Sequence, residues 1–197
     1  MRSLIFFLLS TLTFAQTNDT INLKEVALVD YSKYKQFRPK FTKIERLTDH
    51  TSFGLKLFST LLLPKEKEIE IFAIEILFES EVKKKNYCNE YYYFKPIILK
   101  SITDKNNLIE DKWFSVDKDF HGKYIFPIHI KLKSSEAKNY LIGLQTSFDN
   151  PFCPEANGYF DLINTKQKST IYYGTNNQLV KQNLFGNYGL NYVIYYK

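Results

Sequence analysis

The sequence predicts an all-β fold, an antiparallel two-sheet β-sandwich of the jelly-roll kind. Three observations carry that expectation. Two long runs sort apolar from polar residues at period two, shorter runs rich in aromatic and β-branched residues are separated by turn chemistry, and no segment shows a convincing amphipathic helical pattern. Composition allows such a fold. With 44% hydrophobic and 17% aromatic residues, a 197-residue chain has ample surface for one buried core, which argues against disorder. Only 7 Gly and 6 Pro leave no room for a collagen-like or low-complexity chain.

At the N-terminus, Arg2, the apolar stretch Leu4-Ile5-Phe6-Phe7-Leu8-Leu9 and Ala15 before the polar Gln16-Thr17-Asn18 form a secretory signal peptide over residues 1–15. The stretch is far short of the roughly 20 residues needed to span hydrocarbon, and no later segment is apolar enough, so no transmembrane segment is expected in the mature chain. Residues 16–50 read as an N-terminal arm with one possible strand from Ile21 to Val29, followed by mixed aromatic and basic residues around Arg38-Pro39. The β-sandwich domain is expected over residues 51–197.

Its first strand runs from Phe53 to Phe58 and ends in a charged turn, Pro64-Lys65-Glu66-Lys67-Glu68. In the next strand Phe72, Ile74, Ile76 and Phe78 share one face at period two, with Ala73, Glu75, Leu77 and Glu79 on the other. A later run places Tyr124, Phe126, Ile128, Ile130 and Leu132 opposite Pro127, His129, Lys131 and Lys133, a half-buried strand whose Pro127 marks an edge or a bulge. Further strands are expected at Tyr91 to Leu99, Lys112 to Val116, Tyr140 to Thr146, Gly158 to Ile163, Ser169 to Tyr173 and Tyr188 to Tyr196. Turn residues such as Asp104-Lys105-Asn106-Asn107 and Asp149-Asn150-Pro151 separate them. In the last strand Tyr188, Leu190, Tyr192, Ile194 and Tyr196 fall together, so it either closes the sandwich or forms an exposed edge that accepts a partner's strand.

Spaced landmarks within this series, Gly54-Leu55-Lys56-Leu57-Phe58, Ile69 to Phe78, Lys112-Trp113-Phe114-Ser115-Val116-Asp117 and Tyr140-Leu141-Ile142-Gly143-Leu144, carry a resemblance. Together they resemble the uncharacterised secreted β-sandwich module that accompanies carboxypeptidase-regulatory-like domains in bacterial envelope proteins. The resemblance spans Phe53 to Phe148 and implies a location and an architecture, with no catalytic residues to carry over.

Charge and motifs narrow the chemistry. The formal charge is +6, but among the 27 basic side chains only Arg2, Arg38 and Arg46 are arginines, so the guanidinium forks favoured for nucleic-acid recognition are scarce and no nucleic-acid partner is expected. An even pair of cysteines in an exported chain reads first as a disulfide, Cys88 to Cys153, against the alternative of two separate buried thiols. Asp117, Asp119 and His121, spaced two apart before Gly122, either ligate a divalent metal or form an acidic turn leaving the strand. No Gly-x-Ser-x-Gly elbow and no phosphate-cradling glycine loop is present, and no cofactor is implied. Tyr91, Tyr92, Tyr93 and Trp113 offer flat apolar faces with polar edges for ligand binding, or else serve as cross-strand packing.

The expected function is an exported, non-catalytic binding or structural module of the bacterial envelope, located in the periplasm, the outer envelope or outside the cell, with a glycan or an envelope protein as partner. Its rivals are a carbohydrate-active enzyme, in which carboxylates such as Glu75, Glu79, Glu110 and Asp117 would converge, and a protein-interaction subunit of a cell-surface complex.

Overall fold

A computed structural model describes residues 29–47, 56–79, 91–117, 120, 122–136, 138, 140–148, 159–175, 178–181 and 187–197. The chain divides into two compact units, Met1–Asp30 and Tyr31–Lys197, and the second contains every strand of the described residues. The expected signal peptide at 1–15, residues 21–28 of the expected early strand, and both Cys88 and Cys153 lie outside the described residues.

Thirteen strands are present among the described residues: β1 (Lys35–Phe37), β2 (Phe41–Leu47), β3 (Lys56–Thr60), β4 (Glu68–Glu79), β5 (Tyr91–Leu99), β6 (Phe114–Asp117), β7 (Gly122–Lys133), β8 (Leu141–Phe148), β9 (Tyr159–Thr165), β10 (Ile171–Thr175), β11 (Gln178–Lys181), β12 (Tyr188–Leu190) and β13 (Tyr192–Tyr196). They form two antiparallel sheets. The strands from β2 to β9 give the jelly-roll frame, in the order β2-β9-β4-β7 in the first sheet and β3-β8-β5-β6 in the second, with the chain crossing repeatedly between the two. The last four strands are additions to that frame. β10 and β11 extend the second sheet beyond β3, whereas β12 pairs with β9 and β13 lies between β4 and β1. Because β13 occupies β4 from Ile71 to Ile76, the direct β4–β9 contact shrinks to Phe78 and Glu79.

Period-two patterning explains what fills the space between the sheets. Leu57, Phe94, Ile98, Val116, Ile142 and Leu144 of the second sheet meet Ile69, Ile71, Ile74, Ile76, Phe126 and Leu132 of the first in one continuous buried cluster. Phe78 sits among rings, 4.9 Å from Phe94 and 6.2 Å from Phe126, both within the range of favourable aromatic pairing. The tail behaves as a closing element. Tyr188, Leu190, Tyr192, Ile194 and Tyr196 all join the core, and β13, flanked on both sides, is not the exposed edge considered as the alternative. One expected strand is two, because at Asn191 the chain passes from β9 to β4, and the carbonyl of Asn191 accepts a bond from the Leu77 amide at 3.4 Å.

Two local expectations change. The sequence pattern groups Phe72 with Ile74, Ile76 and Phe78, but the core phase of β4 runs Ile69, Ile71, Ile74, Ile76, Phe78 and leaves Phe72 on the other face. Register breaks between Ile71 and Ala73 against β7 and between Tyr195 and Tyr196 against β13. A bulge inserts one residue, and one residue is enough to reverse which face a side chain takes. Pro127, which has no amide hydrogen to give, sits at this break on β7, which pairs with β4 alone among the described strands. Phe72 instead stacks on His129 at 5.3 Å and packs 4.8 Å from Tyr34. The second change concerns residues 31–47, expected to be part of an arm, which supply β1 and β2 to the first sheet.

Candidate functional site

Each sheet has an outer face, and the two are finished differently. On the first sheet Ala73, Val193 and Tyr195 are buried under Tyr31 and Tyr34, which a short 3-10 turn at Tyr31–Lys33 brings across the strands. Glu75 belongs to this face because its neighbours Ile74 and Ile76 point into the core, and it is only 6% exposed. A buried carboxylate needs partners, and this one has three. Tyr195 Oη donates to Oε2 at 2.6 Å, while Lys123 Nζ and Arg38 Nη2 stand 3.3 Å and 3.6 Å from Oε1. Burial, reinforced by that hydrogen bond to Glu75, pushes the Tyr195 hydroxyl up to about 12. The cluster fastens the segment before β2 onto the sheet.

The second sheet carries a groove on its outer face. Its floor is one cross-strand row, in which Phe58 of β3 faces Gly143 of β8 and Gly143 faces Ile97 of β5. Gly143 is required there, since a Cβ would collide with the Leu57 carbonyl oxygen and lie 2.8 Å from Cγ of Phe58. The ring therefore lies over the glycine and, with Ile97, Leu99 and Leu141, makes a second buried cluster on this outer face. The next row of the same face is polar. Lys56, Gln145 and Lys95 stand side by side on β3, β8 and β5, placing the two lysine backbones two strand spacings, roughly 10 Å, apart.

One wall of the groove is the segment following β5. β6 covers only Tyr91 to Phe94, so beyond that point β5 needs another partner along its edge. Asn107 supplies it. Its Nδ2 donates to the Pro96 carbonyl at 3.2 Å and to Asp111 Oδ1 at 2.9 Å, and its Oδ1 accepts the Ile98 and Ile109 amides at 2.9 and 3.4 Å. Both donors and both lone pairs of the amide are thus used. The Leu108 amide continues the ladder to the Ile98 carbonyl at 2.8 Å. Asp111 then receives Lys95 Nζ at 3.0 Å on its second oxygen, and the hydrogen bond from Asn107, followed by that from Lys95, holds its carboxyl below the ordinary range.

The resulting cavity is about 580 Å³, with Ile102, Thr103, Asp104 and Lys105 on the wall and Leu179 of β11 closing the opposite side. Lys56 is half-buried in it and makes no ion pair within bonding distance among the described residues. Burial, then the neighbouring Lys95, lowers its basicity, and Asp111 partly restores it. Trp113, 42% exposed, stands beside the groove with Lys95 Nζ 5.3 Å from its ring centroid.

The sequence-derived candidates fall in several places. Tyr93 lies half-buried on β5 opposite Ser115 and Trp113 one position before β6; neither lines the cavity, and Trp113 meets it only through Lys95. Tyr91 and Tyr92 pair through their backbones with Asp117 and Val116, and their side chains are not among those described. Of the metal candidates, Asp119 and His121 also lie outside the described residues, while Asp117 is exposed and its carbonyl accepts the Phe120 amide at 3.0 Å. Among the described residues no three His, Cys, Asp or Glu side chains gather as a metal site. Glu75 is on the outer face of the first sheet, Asp117 and Glu110 on the second sheet and its flank, so Glu75 does not share a site with them. Sequence reasoning misses Lys56, Asn107 and Asp111, whose only signal is the turn chemistry of residues 104–107. Among the described residues no helix is long and apolar enough to cross a membrane.

No protein-family model and no curated protein matches the chain, so the resemblance to the secreted sandwich module stays with its landmarks, the described parts of which fall in or directly before β3, β4, β6 and β8.

Proposed function

We propose that the chain is an exported, non-catalytic binding module of the bacterial envelope whose ligand seat is the groove on the outer face of the second sheet. The observation that carries this reading is the 580 Å³ cavity with an apolar floor, Phe58 and Ile97, and convergent polar side chains from three strands and one loop. Ligand sites in general have this mixture of concavity, apolar lining and a few fixed polar groups. Export follows from the character of residues 1–15. Binding is favoured over hydrolysis because Glu75, the most buried acid among the described residues, is held by Tyr195, Lys123 and Arg38 on the opposite side of the sandwich from the cavity.

A panel of neutral and acidic glycans and envelope proteins tests the reading. Retention without product release, lost when Gln145→Trp fills the groove, is the expected result. Product release that disappears in Glu75→Gln or Asp117→Asn overturns the non-catalytic reading in favour of a carbohydrate-active enzyme. Retention of an envelope protein that Gln145→Trp leaves intact moves the binding surface elsewhere.

A further inference from the structure

If the groove is the binding seat proposed above, its charge pattern selects among ligands. Three ammonium groups, Lys56, Lys95 and Lys105, line it against two carboxylates, Asp104 and Asp111, leaving one positive charge in excess. Asp104 and Lys105 stand exposed on the wall, so the excess charge that is drawn partly out of water is that of Lys56. Lys95 is committed to Asp111 at 3.0 Å, whereas Lys56 reaches the cavity from β3 without an ion pair among the described residues. An ammonium drawn partly out of water and left unpaired is a receptor for one negative charge.

The rest of the lining limits what can bring that charge. Carboxylates are acceptors only, so Asp104 and the oxygens of Asp111 turned to the cavity repel a second negative charge and favour a ligand rich in hydroxyl donors. A phosphate dianion meets this repulsion, and an acidic peptide has carbonyls where hydroxyls are wanted. Gln145, between the two lysines, adds an amide that serves donors and acceptors alike. The apolar floor and the exposed indole of Trp113 suit the C–H faces of a pyranose ring.

We infer that the groove takes an acidic oligosaccharide, seating the carboxylate of a uronic acid on Lys56 and its hydroxyls on the Asp104, Asp111 and Gln145 side chains.

An oligosaccharide carrying a single uronic acid, its methyl ester and tri-glutamate, titrated into the full-length protein by calorimetry, test this, with Trp113, the single tryptophan, as a second reporter by fluorescence. The expected result is that the acid binds at least roughly tenfold more tightly than its ester, the scale of one charge-assisted hydrogen bond. Lys56→Gln should erase that preference and Lys56→Arg restore it, with thermal melts showing that each variant is folded. Equal affinity for acid and ester, or a preference that survives Lys56→Gln, overturns the inference while leaving the groove a binding site. Tighter binding of tri-glutamate, or no binding of either saccharide, overturns the inference as well. Failure of the groove itself has a different signature, namely ligand retention that Gln145→Trp does not disturb.

Discussion

On the outer face of the first sheet, Glu75 is almost wholly buried and is met by Tyr195, Lys123 and Arg38. On the outer face of the second, Lys56 is half-buried over a cavity and met by no counter-ion among the described residues. Both faces pose the same problem, a charged side chain on an apolar strand. Where the chain brings its own partners the face is roofed by Tyr31 and Tyr34 and becomes structure. Where it does not, the wall built on Asn107 stands back and leaves space. A buried charge with a full complement of partners therefore argues for architecture, and one without argues for a visitor.

Perturbing either face separates these roles. The largest effect is expected from Gly143→Ala, because the added carbon meets the Leu57 carbonyl and the Phe58 ring and neither can retreat within the sheet. A loss of about 3 kcal/mol in urea denaturation is expected, at the upper end for overpacking. Glu75→Leu should come next, on the other face. It orphans the buried Tyr195 hydroxyl, whereas Arg38 and Lys123, both substantially exposed, return to water, so about 2 kcal/mol is expected. A variant as stable as wild type would mean that the roofed face is not held by this carboxylate.

Asn107→Ala acts more locally. It removes four hydrogen bonds but only along one edge of β5, so about 1 kcal/mol of global stability is expected, with much faster hydrogen exchange at the Ile98 and Ile109 amides. Unchanged exchange there would dissociate the wall from its latch. The smallest effect is alkaline. Tyr195 titrates near 10 when unfolded and is raised to about 12 in the fold, so its contribution is complete below pH 10 and is lost as pH rises from 10 through about 12. The fall in melting temperature over that interval should be shallower in Tyr195→Phe, and an identical fall in both proteins would assign it to other tyrosines.

Much of the frame can be read from spacing. β5 spans Tyr91–Leu99 as expected, β7 keeps its alternation through Leu132, and the five tail residues from Tyr188 to Tyr196 all reach the core. β7 has one wet and one dry face, the pattern that period two detects, whereas β13 is buried on both, its Val193 and Tyr195 lying under Tyr31 and Tyr34. β2 escapes because Lys43, Glu45 and Arg46 break up its apolar residues, and β1 because three residues carry no period. Spacing puts Phe72 on the wrong face because a bulge is a property of paired registers that no single strand announces. The groove is illegible for a related reason. Lys56, Lys95 and Gln145 are neighbours only once three strands have chosen their alignment, and Asn107 looks like any turn asparagine until it is seen serving as a surrogate strand. Trp113 and Tyr93, candidates as ligand-facing aromatics, do not line that groove, Trp113 meeting it only through Lys95, and the polar row has no sequence signature.

The position of β13 has a bearing on how such a molecule is made. A strand at residues 192–196 fills the middle of the first sheet, against a β4 that is synthesised more than a hundred residues earlier. Pairings so distant along the polypeptide slow folding. While the chain grows from its N-terminal end, one flank of the apolar stretch Ile69–Phe78 stays unzipped until residues 192–196 have emerged, and it is from that waiting seam that aggregates of nascent chains should grow.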